Sequence, residues 1–142
     1  MEQKYEPSPN DFASDHVARY EATGGADGGV MSGAPIVVLH TTGRTTGTLR
    51  KSPLIKITDG GLYVVIASQG GAPRHPSWYL NLVADPNVRI QDGDRLVDAL
   101  ASTAQGDERS RLWSAATAVW PDYDAYQEKT VRQIPVVLIE PT

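Results

Sequence analysis

The chain has 142 residues, with 13 lysines and arginines against 17 aspartates and glutamates, a formal charge of −4. That length predicts one domain whose core is large enough to need no metal or disulfide staple. Cysteine is absent, which excludes thiol catalysis, zinc–thiolate sites and a disulfide framework and points to a reducing cytoplasm.

The start, Met1 to Asn10, is charged and proline-containing where a secretory signal needs an apolar run. Charges or glycines interrupt every hydrophobic run, so no integral membrane segment is expected. Asn10 or Asp11 can cap a helix in which Phe12, His16 and Tyr20 recur at a spacing of four, and Thr23-Gly24-Gly25 ends it. Its mixed charges predict a helix packed on the domain rather than on a membrane surface. The glycine-rich link Gly24 to Gly33 sets residues 1–33 apart from a domain over 34–142.

Pro35 opens the strand Ile36-Val37-Val38-Leu39-His40. Leu49 to Thr58, the turn Asp59-Gly60-Gly61 and Leu62 to Ala67 read as a hairpin. Pro76 suits a first helical turn, and the helix Ser77 to Ala84 stops at Asp85-Pro86. Val88 to Gln91 and Leu96 to Ala104 flank Asp92-Gly93-Asp94 as a second hairpin. Asp107 and Glu108 start a helix with Leu112, Trp113, Ala116, Val119 and Trp120 on one face. Pro121 breaks it at Trp120, and a short helix resumes through Lys129. Pro135 to Ile139 is the last strand. Six short, mainly antiparallel strands with helices between and after them predict an α+β fold, a small β-barrel with helices packed on the outside.

Overall acidity argues against nucleic-acid binding, but the charge is uneven. Residues 28–84 hold one acid, Asp59, and five bases, Arg44, Arg50, Lys51, Lys56 and Arg74, a net +4; the remainder is −8. A positive middle without nearby carboxylates is the footprint of a site for an anionic small molecule, although solvated surface charges cluster in the same way.

Three stretches carry candidate chemistry. In Thr41 to Pro53, Gly43 and Gly47 let backbone amides approach a ligand while hydroxyls and the cations Arg44 and Arg50 surround it. These are components of a phosphate cradle, and equally of a polar hairpin loop. In Ala67 to Pro76 the chain leaves a strand and enters a helix N-terminus, a second place where anions or polar ring edges bind. The third is Trp120, Tyr123 and Tyr126, which can wall a planar ligand and offer a tyrosine hydroxyl, or serve as core packing. His16, His40 and His75 form no triad and give no metal signal. His75, before Pro76, reads as a helix cap.

The run from Val37 to Pro141 resembles the deazaflavin-dependent nitroreductase family of actinobacteria, within the flavin/deazaflavin oxidoreductase superfamily, whose fold is a split β-barrel. The resemblance rests on Thr41-Thr42-Gly43-Arg44, Gly47, Arg50 and Pro53; on Ala67-Ser68, Gly70-Gly71-Ala72-Pro73, His75-Pro76, Trp78-Tyr79 and Asn81-Leu82; and on Pro121-Asp122-Tyr123, Tyr126-Gln127 and Ile134-Pro135-Val136-Val137. It covers about three quarters of the chain, and ordered, spaced motifs of this kind are far more specific than a single glycine pattern.

This resemblance implies a reductase that uses reduced coenzyme F420, a 5-deazaflavin with a phosphate and a polyglutamate tail, to reduce a small electron-poor acceptor such as a quinone, an activated enone or a nitroaromatic. By position, Arg44 and Arg50 would hold the phosphate and tail, with Thr45, Thr46, Lys51, Ser52 and Pro53 beside them. Ala67, Ser68, Gln69, Gly70, Gly71, Ala72 and Pro73 would meet the ring, and Trp78 and Asn81 would shape the pocket. Trp120, Tyr123 and Tyr126 would line the acceptor side, with Ser68, Tyr123 and Tyr126 as catalytic candidates and Tyr126 or solvent delivering the proton. A non-catalytic deazaflavin carrier and an FMN- or haem-binding barrel are the other readings of the same fold. Relatives often carry lysine where this chain has Thr45 and Gln69, a loss that Lys51 or Arg74 would offset. The resemblance is compatible with a monomer or a homodimer in the cytoplasm, at the membrane periphery where the acceptor is a quinone.

Overall fold

The computed structural model describes residues 3–142. Asn10 caps the first helix, α1 (Asp11–Thr23), its Oδ1 accepting from the Ala13 amide at 3.3 Å. Gly24, at φ 59°, ends that helix in the left-handed conformation that glycine adopts at little cost. There follow β1 (Val30–Met31), β2 (Ala34–Thr42), β3 (Leu49–Ile55), β4 (Ile57–Asp59) and β5 (Leu62–Ile66), a 3-10 turn (Gln69–Gly71), and α2 (Ser77–Ala84). The chain continues through β6 (Asn87–Asp92), β7 (Arg95–Thr103), α3 (Gly106–Val119), α4 (Asp122–Glu128) and β8 (Val136–Pro141).

All strand pairings are antiparallel, in the order β1-β2-β6-β7-β8-β5-β4, with β3 on the other side of β2. The six expected strands are present, and one addition and one division raise the count to eight. Val30-Met31 forms a short strand inside the glycine-rich link. The run Leu49 to Thr58 splits at Lys56, whose amide donates to the Pro35 carbonyl at 2.8 Å. Residues before the break pair with β2 and residues after it with β5. This one bent run therefore joins the two ends of the sheet and curls it into a barrel, as strands do when they turn a corner between layers. Only Ile57–Asp59 makes the expected hairpin with β5.

Alternation along the strands divides the apolar residues between two faces. Val37, Leu39, Val65, Ile90, Val137 and Ile139 fill the barrel, closed by Trp78 and Leu82 of α2. Ile57, Val64, Val136 and Leu138 face outward under α3 and α4, where Leu112, Ala116, Tyr123 and Ile134 cover them. Each fully buried aliphatic side chain contributes roughly 1.5–3 kcal/mol, so both helices are held by packing more than by propensity. Val17 and Tyr20 anchor α1 on Ile36 and Val38, and the Gly93 amide donates to the Tyr20 hydroxyl at 2.6 Å. Phe12, expected on that face, is instead 67% exposed and lies at the rim of the cavity described below. No helix of the described residues is long and apolar enough to cross a membrane.

Candidate active site

One cavity of about 680 Å³ opens between the β2–β3 turn, β3, the 3-10 turn, the start of α2, and α4. Its volume falls in the range of small-molecule and cofactor sites. Arg44, Thr45, Thr46, Arg50, Lys51, Ser52 and Pro53 form one side, Ser68, Gln69 and Gly70 the end, and Trp78 and Asn81 the floor. Trp120, Tyr123 and Tyr126 stand opposite. The three stretches singled out in the sequence thus meet in one place, which their separation along the chain could not establish.

Each group is fixed by a neighbour. Asn81 is 4% exposed and acts as a brace. Its Oδ1 accepts from the Arg44 amide at 3.1 Å and from Arg44 Nη1 at 2.8 Å, while its Nδ2 donates to Thr41 Oγ1 at 3.3 Å. Arg44 is thereby held at the cavity edge with no carboxylate partner among the described residues. At the end of β5, Ser68 is right-handed (φ −80°, ψ −40°) and Gln69 left-handed (φ 44°). That sequence of conformations turns consecutive amides to one side, the nest arrangement that receives anions and electron-rich edges. A left-handed non-glycine residue carries strain, and Gln69 carries it at the cavity wall.

The aromatic wall is rigid at one point and polar at another. Tyr123 is 4% exposed between Trp113 and Tyr126, with ring centroids 6.3 and 6.1 Å away. Burial, followed by the neighbouring Tyr126, pushes its phenol pKa well up, so this ring stays neutral. The Trp120 indole N–H donates to the Tyr126 hydroxyl at 3.3 Å. That bond occupies the tyrosine oxygen and leaves its own proton free to be donated.

Four candidates stand outside the cavity lining. Ala67 is fully buried behind it. Gly71 (φ 84°) packs on α4 so closely that a Cβ would lie 2.6 Å from the Tyr126 carbonyl oxygen, which makes its role steric. Ala72 gives its carbonyl to Arg132, and Pro73 faces a second, smaller cavity with Arg74 and His75. His75 caps nothing. Its Nδ1 is 3.0 Å from Arg132 Nη1 and its ring lies 5.0 Å from Tyr79. Arg132 itself carried no signal in the sequence, being one arginine in a loop, yet it binds the whole Ser68 loop from behind.

Three of the five cations in the positive segment are paired in space with acids from elsewhere. Arg50 pairs with Glu6 at 3.0 Å, Lys51 with Glu21 at 2.6 Å and Lys56 with Asp92 at 3.0 Å. Glu6 arrives because the N-terminal arm runs along β3, the Leu49 amide donating to the Lys4 carbonyl and the Glu6 amide to the Leu49 carbonyl. Lys51 is further occupied by the Tyr5 ring, 4.4 Å from its Nζ. Beneath it His40 is buried, 3.9 Å from Glu21, and burial with the Lys51 charge lowers its pKa to about 4. The same arm and the first turn of α1 bring Ser8, Pro9, Asn10 and Phe12 to the cavity. Nothing in their sequence pattern announced this.

These residues suit a flat heteroaromatic ligand with an anionic tail. The aromatic wall and Pro53 can bound a slot for planar rings, the Ser68–Gly70 amides are free to meet ring edges, and Arg44, without a carboxylate partner among the described residues, can meet a phosphate. The sequence profile described as F420H(2)-dependent quinone reductase matches residues 13–141. An F420H(2)-dependent quinone reductase of Mycobacterium tuberculosis is 39% identical over 128 residues, covering 87% of this chain and 86% of its own. A solved F420-H2-dependent reductase is 45% identical with a TM-score of 0.70, covering 75% of this chain and 94% of its own. A second solved structure, described as a domain-swapped dimer, is 39% identical with a TM-score of 0.73, covering 94% and 100% respectively.

Proposed function

The chain belongs to the F420H(2)-dependent quinone reductase family, and on that premise we propose how its own residues perform the reaction, in which a hydride from reduced coenzyme F420 reaches a quinone. The observation that carries this reading is one cavity joining the unpaired Arg44 and the Ser68–Gly70 amides to the wall of Trp120, Tyr123 and Tyr126.

The bound cofactor supplies the hydride; the protein supplies binding, orientation and a proton. Arg44 grips the phosphate, with the Thr45, Thr46 and Ser52 hydroxyls beside it and Arg50 available in exchange for Glu6. Ser68, Gln69 and Gly70 hold the polar ring edge, while Trp78 and Asn81 set the depth of the floor. Pro53 backs the cofactor side, and the Trp120–Tyr123 wall leaves a flat slot for the acceptor, which also suits activated enones and nitroaromatics. The Tyr126 hydroxyl, its oxygen fixed by Trp120, donates its proton to the acceptor oxygen as negative charge develops there.

Anaerobic incubation with reduced coenzyme F420 and menadione tests the assignment. We expect many oxidised cofactors per protein molecule. Stoichiometric binding without oxidation would make the protein a carrier, and equal or tighter binding of FMN would remove the deazaflavin preference.

A further inference from the structure

Arg132 reaches out of the loop before β8 and meets four acceptors of the Ser68 segment. Its Nε donates to the Ala72 carbonyl at 2.9 Å, Nη1 to the Ala67 carbonyl at 3.1 Å and to His75 Nδ1 at 3.0 Å, and Nη2 to the Ser68 carbonyl at 2.8 Å. No carboxylate partners it among the described residues. One guanidinium therefore ties both ends of the segment from Ala67 to His75, using the fork geometry that a lysine lacks.

The direction of these bonds matters more than their number. In a trans peptide the C=O and the following N–H point in opposite directions. Carbonyls of Ala67 and Ser68 turned onto Arg132 therefore aim the amides of Ser68 and Gln69 away from it, and Ser68 and Gln69 line the cavity. A cation on a peptide carbonyl also polarises that peptide, making its N–H a stronger donor. The geometry points to Arg132 as a positioning residue that, without entering the cavity, sets the aim and strength of the two amide donors holding the polar edge of the ring. It also stabilises the left-handed Gln69, since the loop cannot relax while the Ser68 carbonyl before it and the Ala72 carbonyl after it are both engaged.

This role rests on the cavity being the cofactor site, and equilibrium titration with oxidised coenzyme F420 separates the two ideas. The variants are Arg132→Gln, which removes the charge and the fork, and Arg132→Lys, which keeps the charge. We expect affinity to fall in the order wild type, lysine, glutamine, with the glutamine variant roughly tenfold or more weaker. Turnover on menadione at saturating cofactor should stay within about twofold, because the loss lies in the grip on the ring. A folded glutamine variant that binds as tightly as wild type would overturn the inference while leaving the cofactor reading intact; a wild-type protein that fails to bind would overturn the cofactor reading itself. Should the glutamine variant not fold, amide NMR on the wild type decides. Saturation with the cofactor must move the Ser68 and Gln69 amides more than the others of the segment, and unmoved amides there would refute the assignment.

Discussion

Arg44 and Arg50 occupy equivalent places in the sequence motif but different electrostatic positions in the fold, so their replacement by alanine should not cost the same. Arg44 has no carboxylate partner among the described residues and is braced by Asn81. A charge-assisted hydrogen bond to a phosphate is worth about 1.5–3 kcal/mol, so Arg44→Ala should weaken F420 binding roughly tenfold to a hundredfold. Arg50 must first leave Glu6, whose side chain is 45% exposed. A pair of that kind is worth about 0.2–1 kcal/mol, which subtracts from what Arg50 can give the ligand. We therefore expect Arg50→Ala to cost several-fold less than Arg44→Ala. Glu6→Gln should tighten binding by up to about fivefold, because it frees Arg50 while its amide oxygen still accepts from Thr48 Oγ1, now 2.9 Å from the carboxylate. Fluorescence titration of oxidised F420 with all three variants measures the series, and repeating it at higher salt should weaken wild type more than Arg44→Ala. Equal losses in both arginine variants, with Glu6→Gln neutral or weaker, would refute the reasoning.

Tyr126→Phe keeps the ring and removes the hydroxyl, so melting temperature and F420 affinity should hold while turnover on menadione falls, by up to about a hundredfold if the phenol is the proton donor; unchanged rates would leave Tyr126 a wall residue. Gly71→Ala puts a Cβ against the Tyr126 carbonyl in a left-handed conformation, and should lower the melting temperature and displace α4, seen as lost turnover. His40 has a folded pKa near 4 against 6.5 ordinarily, so the unfolded chain binds more protons between those values. Its contribution is fully present above pH 6.5 and is lost as pH falls toward 4, and His40→Gln should flatten the pH dependence of the melting temperature in that window.

Local chemistry was legible at several positions where a single residue decides geometry, though not at His75, which caps no helix. Asn10 at a helix start, Asp-Gly turns and Pro121 after Trp120 each appear in the structure where the pattern placed them. The division at Lys56 was not legible, because Leu49 to Thr58 reads as one continuous strand and only its two different partners reveal the bend. Charge was misleading for a related reason. Residues 28–84 are basic along the chain, yet Glu6, Glu21 and Asp92 fold back onto three of the five cations. Lys51, one of the two cations placed to offset the absent lysines, is already taken by Glu21 and Tyr5. Arg132 lay beyond sequence reasoning altogether, since three of its four acceptors are backbone carbonyls some sixty positions away, which no side-chain pattern encodes.

Direct passage of hydrogen from cofactor to acceptor inside this cavity is tested most sharply by label. Reduced F420 carrying two deuterium atoms at C5 would be turned over with an activated enone in ordinary water, and the product analysed by mass and position. We expect one deuterium per product molecule, on the β-carbon, and ordinary hydrogen on the α-carbon, taken up from water as the enol first formed tautomerises. Product formed at the same rate without deuterium would contradict direct hydride transfer.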